Sequence, residues 1–204
     1  MAARSDIYLG NPNLKKANTQ TEFTKEHIAE FLKCKADPVY FTEKHIKIVN
    51  VDEGLVSFNM YKFQKKLIEN FHKNRFNICK MPRQTGKSTT VVSYLLHYAI
   101  FNDNVNIGIL ANKAATARDL LGRLQLAYEN LPTWMQQGII AWNKGSMELE
   151  NGSKIIAAST SASAVRGMSF NIIFLDEFAF VQNHLADDFF ASVYPTISSG
   201  KSTK

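Results

Sequence analysis

The chain has 204 residues, a net charge of +6, 45% hydrophobic residues and 21% charged residues. This length fits one domain with at most a small appendage, and the composition excludes a wholly disordered chain. The two cysteines, Cys34 and Cys79, are too few for a disulfide framework, and no apolar run approaches the length of a transmembrane helix. The five histidines show no metal-ligand spacing. The positive charge favours a polyanionic partner, although a generally basic surface explains it equally well.

The first 57 residues are predicted to lie outside the main domain. Residues 1–20 are polar and predict a flexible arm. Thr24 is a suitable cap for a helix that runs to about Lys33, and Asp37 with Pro38 is typical of the start of a second helix. Residues 21–57 are therefore predicted to form a small helical appendage. The remaining residues, 58–204, carry the patterns that bear on function.

A helical segment precedes the main motif. From Met60 to Phe71 the apolar residues recur on one helical face. Gln64 lies within this segment. Either it is a solvated side chain, or its amide donates to and accepts from the edge of an adenine base.

The stretch Arg75 to Thr90 has the order of a phosphate-binding loop. An apolar, strand-like piece leads into a turn with Gly-Lys-Ser, and an apolar helical run follows. In such a loop the backbone N–H groups face the phosphates, Lys87 reaches the β- and γ-phosphates, and the Ser88 hydroxyl binds Mg²⁺. Met81 stands where the usual pattern has a glycine, so the loop alone is equally consistent with an ordinary surface turn.

Several elements follow the loop. A buried strand is predicted at 105–110 and a helix at 111–128, whose basic residues are either solvated or turned toward DNA. Asn151-Gly152 predicts a tight hairpin. Arg166, in a loop of small residues, either binds DNA or phosphate or forms an ordinary ion pair. The basic residues of the predicted helix are Lys113, Arg118 and Arg123.

Residues 172–177, Ile-Ile-Phe-Leu-Asp-Glu, join four large apolar residues to two adjacent carboxylates. The apolar run is typical of a strand buried on both faces of a parallel sheet. Because buried charge is costly, the carboxylates need a metal ion or a basic partner. Asp176 is therefore predicted to hold Mg²⁺ opposite Ser88, and Glu177 to polarise the attacking water. The intervening strand and helix fit an ATPase class that inserts a strand there and uses a catalytic glutamate.

Four motifs carry a resemblance to a known family. Together they are similar to the ATPase region of large terminase subunits, the DNA-packaging motors of tailed bacteriophages, and most of all to the myovirus type. The similarity extends from about Tyr8 to Gly200, and this family also lacks the early glycine of the loop. The motifs are Pro82–Ser88, Trp142–Ser146, Ala164–Gly167 and Asp176–Phe180.

The resemblance implies roles for individual residues. Gln64 resembles the adenine-reading glutamine, with Phe63 at a position where an aromatic residue is usual. Arg83 resembles an arginine that acts in cis on the γ-phosphate, to which a guanidinium can form two parallel bonds. Lys87 and Ser88 resemble the Walker A residues, Asp176 the Walker B aspartate and Glu177 the catalytic glutamate. The implied nucleotide-binding set is Phe63, Gln64, Pro82, Arg83, Gln84, Thr85, Gly86, Lys87, Ser88 and Thr89.

The resemblance also implies a fold and a function. We expect a three-layer α/β P-loop ATPase domain of the RecA-like, additional-strand catalytic-glutamate class, with a mostly parallel sheet and a small helical appendage. ATP with Mg²⁺ would be hydrolysed to package double-stranded DNA into a procapsid. The implied partners are a portal protein, a small terminase subunit and further copies of the chain in a ring. The implied location is the host cytoplasm, at the procapsid portal, without a membrane.

Two rival functions share these motifs. One is a helicase-like DNA translocase. The other is a truncated fragment that binds nucleotide without turnover, because the coupling motif and the nuclease domain expected for the family do not occur before Lys204. For the same reason no nuclease activity is expected of this chain.

Overall fold

The computed structural model describes residues 6–50, 52–160, 168–198 and 203–204. Within these ranges the helices are α1 (Lys25–Ala36), α2 (Pro38–His45), α3 (Lys62–Lys73), α4 (Lys87–Phe101), α5 (Ala114–Glu129) and α6 (Asn183–Ser198). The strands are β1 (Ile7–Tyr8), β2 (Asn11–Lys15), β3 (Lys47–Asn50), β4 (Gly54–Ser57), β5 (Asn106–Ala111), β6 (Ile139–Trp142), β7 (Ser146–Leu149), β8 (Lys154–Ser159) and β9 (Ile172–Asp176).

In the described part of the chain, the central sheet has five strands in the order β6-β7-β8-β5-β9. Strand β5 pairs in parallel with β8 and β9, whereas β7 is antiparallel to β6 and β8. The sheet is therefore mixed, and the expectation of a mostly parallel sheet is wrong. The predicted Asn151-Gly152 turn is the reason, because a hairpin joins its two strands as antiparallel neighbours. Gly152 has a φ of 79° there, a left-handed conformation that glycine adopts without strain.

The core lies between the helices and the sheet. Helix α4 is buried along most of its length, and β5 contributes a nearly continuous run of buried residues beneath it. Such an uninterrupted apolar strand is typical of the interior of a sheet covered on both faces. Among the described helices, none is both long and apolar enough to span a membrane.

The N-terminal helices begin where the sequence indicates. The Thr24 hydroxyl accepts from the His27 backbone N–H at 3.2 Å, and the Asp37 carboxylate accepts from the N–H groups of Val39 and Tyr40 at 2.9 and 3.0 Å. The appendage is less helical than predicted, however. The antiparallel hairpin β3–β4 follows α2 and completes it.

The prediction of a flexible arm over residues 1–20 does not describe strands β1 and β2. Leu14 is buried in the main core, the Lys15 N–H donates to the Gln136 side chain at 3.1 Å, and the Gln136 amide donates to the Asn13 carbonyl at 2.9 Å. These contacts fix the segment against the region before β6. A polar composition concealed this docking, because it depends on residues more than a hundred positions away. Residues 1–5 lie outside the described ranges.

The predicted strand before the phosphate loop is not formed. Phe76 and Ile78 are 62% and 99% exposed, and the segment 76–81 has no strand hydrogen bonding. Cys79, which lies in the same segment, is also exposed. An extended segment becomes a strand only when a neighbouring backbone satisfies its N–H and C=O groups. Among the described residues, none pairs with this segment.

The outer edge of the sheet, at β9, pairs at one end with the last described residues. On its outer side, β9 bonds at one end to Lys204, whose N–H donates to the Asn171 carbonyl at 2.7 Å and whose carbonyl accepts from Ile173 N–H at 2.8 Å. The Lys204 ammonium donates to the Phe71 carbonyl at 2.6 Å, and the Arg75 side chain donates to the Thr203 carbonyl at 2.9 Å. Residues 203–204 thus bridge β9 and the end of α3 at one point.

His97, buried on α4, is expected to make the fold sensitive to acid. Its Nε2–H donates to the Cys34 carbonyl at 2.9 Å, and within the described part of the chain Nδ1 has no hydrogen-bond partner. Desolvation lowers the pKa of His97 to about 4 from an ordinary value of 6.5. Between these pH values the His97 side chain binds a proton in the unfolded chain but not in the folded chain. The free energy of unfolding should therefore be highest above the unfolded pKa and fall by roughly 3 kcal/mol as the pH drops through this window.

Urea unfolding at a series of pH values measures this loss. The control is His97→Phe, which replaces the ring by an apolar one beside Phe41 and Phe101 and removes the titration. The slope between pH 6.5 and 4 should shrink in this variant. An equal slope in both proteins would show that other groups cause the acid sensitivity.

Candidate active site

The glycine at the end of the loop starts helix α4. Gly86 has a φ of 72° and is the N-cap of the helix, so Lys87, Ser88 and Thr89 form its first turn. Gly86 provides no side-chain hydrogen bond to the helix. The N–H groups of the first turn and the positive end of the helix dipole are thus available to an anion at this position.

The loop before Gly86 is held by short-range contacts. The Thr85 hydroxyl donates to the Pro82 carbonyl at 3.0 Å, and Gln84 has a φ of 60°. Pro82, Arg83 and Gln84 are exposed. The loop therefore presents the Arg83 guanidinium to solvent on the side of the chain where α4 begins.

Gln64 fastens the loop to helix α3. It is only 3% exposed; its Oε1 accepts from the Tyr61 N–H at 2.9 Å, and its Nε2 donates to the Thr85 carbonyl at 3.1 Å. Of the two alternatives from the sequence, a solvated Gln64 is thereby excluded. The amide has a structural role that the sequence did not indicate, and its Nε2 carries a second hydrogen for a further acceptor.

Two aromatic rings lie next to this glutamine. Tyr61 and Phe63 stack with their centroids 5.7 Å apart and an interplanar angle of 10°, and they are 69% and 41% exposed. Phe63 was predicted as the aromatic neighbour of a base, whereas Tyr61 was missed. The position of Tyr61, two residues before Phe63 and at the N-cap of α3, is the sequence feature that could have indicated a second aromatic ring here.

Asp176 is the last residue of β9 and is 8% exposed. Burial raises the pKa of this carboxyl, and the charge of Glu177 raises it further, whereas Lys87 and Arg123 act in the opposite direction. The carboxylate therefore lies within electrostatic range of the Lys87 ammonium. The fold brings together the two halves of the site that the sequence separates by almost ninety residues.

Glu177 follows in a strained conformation. Its φ and ψ are 52° and 35°, the left-handed region that costs a non-glycine residue about 1–3 kcal/mol. A single 3-10 turn, Phe178–Phe180, begins directly after it. Glu177 is exposed, whereas the preceding Asp176 is buried. Strain of this kind is concentrated in functional sites, where the surroundings fix the direction of a side chain.

The other basic residues, which the sequence offered as possible contacts to DNA or phosphate, lie in different surroundings. Arg123 forms an ion pair with Asp119 at 2.8 Å on the exposed face of α5, and Lys113 occupies the N-cap position of that helix without a side-chain capping bond. Arg118 lies on the same exposed face. Arg166 lies outside the described residues. The choice between a solvated face and a DNA-facing one is therefore still open for this helix.

The site fits a nucleotide with its magnesium ion. Carboxylate and hydroxyl oxygens are ligands that Mg²⁺ prefers, and Asp176 and Ser88 offer one of each. Two adjacent carboxyls, one of them buried with a raised pKa, are stabilised by added positive charge. The uncapped first turn of α4 is matched to the opposite charge of phosphate groups.

Gly86→Ala is expected to reduce the free energy of unfolding by about 1–3 kcal/mol. An added Cβ would lie 2.6 Å from the Gln64 Nε2, and the φ of 72° disfavours any L side chain. Urea unfolding measures the change. Gly122→Ala on α5 is the matched control, because a Cβ there meets nothing within 4 Å, and it should stabilise by up to about 1 kcal/mol. Equal stability of Gly86→Ala and the parent would contradict the tight packing of Gln64 on the loop.

Comparison with known proteins shows which family this chain is similar to. The family described as terminase large subunit, T4likevirus-type, N-terminal, matches residues 78–189, more than half of the chain, including the loop and the end of β9. The large terminase of bacteriophage HK97 aligns with a TM-score of 0.67 and 18% identity over 83% of this chain and 36% of that one. A mutant ATPase domain of the Thermus phage P74-26 large terminase aligns with a TM-score of 0.58 and 16% identity, over 70% of this chain and 62% of that one.

These alignments support the same fold at low identity, and the chain spans less than two thirds of either solved protein. The family match is of a different kind, because it covers the residues that carry the motifs rather than the shape alone. On that ground the chain belongs to the family of T4-like terminase large subunits, in their N-terminal region.

Proposed function

We propose that this chain is the ATP-hydrolysing part of a phage DNA-packaging motor, built on the three-layer, RecA-like P-loop fold of the catalytic-glutamate class. The observation that carries the proposal is the buried Asp176 at the end of β9, on whose carboxyl the charge of Lys87 at the start of α4 acts. A carboxylate at a strand end, within electrostatic range of a lysine in an uncapped first turn, is suited to a phosphate chain with its cation.

Each residue of the site has a role in this proposal. Lys87 and the N–H groups of the first turn of α4 bind the β- and γ-phosphates, with the rest of Pro82–Thr89 around them. Ser88 and Asp176 hold Mg²⁺, which when bound neutralises phosphate charge. Glu177 accepts a proton from the attacking water, and Arg83 binds the γ-phosphate oxygens as their charge increases.

The adenine end of the nucleotide lies at Tyr61, Phe63 and Gln64 in this proposal. The exposed Phe63 ring offers an apolar face for the base. The second Nε2–H of Gln64 is left for a base nitrogen, while the first one keeps its bond to the Thr85 carbonyl. Base binding and loop position would then be coupled through one side chain.

The partners proposed for the chain follow from the packaging role. They are double-stranded DNA, a portal protein, a small terminase subunit and further copies of the chain in a ring, at the procapsid portal in the host cytoplasm. The net charge of +6 supports a DNA partner. Contacts to DNA phosphates would make DNA affinity fall steeply with salt. The rival helicase-like translocase shares the nucleotide residues, and the match to the terminase family is against it.

Phosphate release by the purified 204-residue chain, with and without double-stranded DNA, tests the proposal. We expect ATP hydrolysis that Lys87→Ala reduces by at least about 10²-fold, because the lysine contacts the phosphates whose charge changes. Equal rates for both proteins, together with retained ATP binding by the parent, would leave the second rival, a nucleotide-binding fragment without turnover. Absence of ATP binding would contradict both.

A further inference from the structure

Three side chains with different metal-ligand atoms meet between α1 and α2, outside the proposed nucleotide site. Glu30 and Cys34 lie one turn apart on α1, and His45 is the last residue of α2. One ligand atom from each lies within 4.8 Å of the other two. We propose that Glu30, Cys34 and His45 bind a tetrahedral divalent transition-metal ion, for which Zn²⁺ is the best chemical match.

The distances suit such an ion. The Glu30 Oε1 lies 2.8 Å from the His45 Nε2 and 3.7 Å from the Cys34 Sγ. Ligand bonds of about 2.0–2.3 Å at tetrahedral angles put the ligand atoms of zinc roughly 3.3–3.6 Å apart. Shifts of less than an ångström in each side chain would therefore admit the ion. Thiolate, imidazole and carboxylate are also the three ligand types that zinc selects in proteins.

The present hydrogen bonding is crowded around one oxygen. Glu30 Oε1 accepts from the His45 Nε2–H, from the Tyr40 hydroxyl at 3.1 Å and from the Cys34 thiol. The Tyr40 hydroxyl lies equally close to Glu30 Oε2, so three donors converge on the two oxygens of one carboxylate. Metal ligands that lie close together without their ion are expected to converge in this way. Their protons then occupy the space that a shared cation would take.

Burial gives the cluster a closed inner side and an open outer one. Cys34 is fully buried, whereas the His45 and Glu30 side chains are 9% and 26% exposed. The fourth position of the ion would therefore face solvent on the Glu30 side and hold a water molecule. Tyr40, which contacts both Glu30 oxygens at 3.1 Å, would orient the carboxylate from outside the ligand shell.

The proton and charge balance of binding is simple. The Cys34 thiol loses its proton to solvent as the Zn–S bond forms, and the His45 proton moves from Nε2 to Nδ1 so that Nε2 offers its lone pair. Two negative ligands then balance the two positive charges of the ion, which a partly buried site requires. Without an ion, the Cys34 thiol donates to the Glu30 Oε1 and so carries its proton. Binding should therefore release one proton per ion.

The site would connect the appendage to the main domain. The Cys34 carbonyl accepts the hydrogen bond from His97 on α4, the helix that begins at the phosphate loop. A bound ion would fix α1 to α2 directly beside that contact. The histidine spacing in the sequence gave no indication of this site, since its ligands come from two helices that are brought together only by folding.

Cobalt absorption provides the test, because a thiolate bound to Co²⁺ produces a near-ultraviolet charge-transfer band. The chain has two cysteines, so in Cys79→Ser such a band can arise only from Cys34. We expect the metal-free Cys79→Ser chain, kept reduced, to develop this band up to one Co²⁺ per chain and to lose it when Zn²⁺ is added. No band, or a band that Zn²⁺ does not displace, would overturn the proposal.

His45→Gln and Glu30→Gln in the same Cys79→Ser background test the other ligands. Glutamine keeps much of the size and hydrogen bonding of each side chain but is a poor zinc ligand, so both variants should fold, as circular dichroism would show. We expect each to weaken Co²⁺ binding at least tenfold. Unchanged affinity in both variants would mean that the cluster is a hydrogen-bonded network only and that the metal binds elsewhere, which also overturns the proposal.

Discussion

Arg83→Lys is expected to lower the rate of ATP hydrolysis by roughly 10³–10⁵-fold while the charge of the loop stays the same. A guanidinium can form two parallel hydrogen bonds to phosphate oxygens, whereas an ammonium acts as a single point charge on a flexible stem. Arg83 is exposed in the loop that leads to Gly86 and is not committed to the core. Its loss should therefore affect the reaction and not the fold.

Single-turnover phosphate release, together with ATP affinity, separates these two effects. We expect the rate constant to fall much more than the affinity, because the guanidinium interacts most strongly with charge that develops in the transition state. Lys80→Ala is the matched control, since Lys80 is an exposed cation three residues before Arg83 and has no proposed role. Comparable rates for Arg83→Lys and the parent would remove Arg83 from the proposed mechanism.

The sequence predicted best those elements whose causes are local. Thr24 and Asp37 cap their helices through bonds that span two or three residues, and the Asn151-Gly152 turn needs only its own backbone. The strand predicted before the loop failed for the opposite reason. Alternative pairing partners cannot be read from the segment itself, and Ile78 is fully exposed because the described chain places no neighbouring strand beside it.

The same distinction holds within the site. A motif predicts which residues are present, so the loop and the end of β9 could be singled out from the sequence. The electrostatic influence of Lys87 on Asp176, the hydrogen bond from Gln64 to Thr85 and the left-handed backbone of Glu177 depend on how distant segments pack. Hydrophobic periodicity and residue spacing carry no information about such long-range geometry. The grouping of Glu30, Cys34 and His45 could not be predicted for the same reason.

Glu177→Gln is expected to keep ATP binding and to reduce turnover by about 10²–10⁴-fold. Glutamine has nearly the same size and the same difficulty with a φ of 52°, so the backbone at the end of β9 should be preserved. An amide cannot accept a proton from the attacking water, however. Equilibrium binding of a fluorescent ATP analogue and steady-state phosphate release measure the two properties on the same preparation.

Asp187→Asn is the matched control, because it removes an exposed carboxylate on α6 that has no proposed role and should leave turnover unchanged. Turnover in Glu177→Gln equal to that of the parent would exclude Glu177 as the general base. The combination with Lys87→Ala is more informative than either variant alone. We expect Glu177→Gln to bind ATP without turnover, and Lys87→Ala to be impaired in both ATP binding and turnover. This combination is expected only if phosphate binding and water activation depend on different residues. A fragment that merely binds nucleotide has no turnover for either substitution to remove.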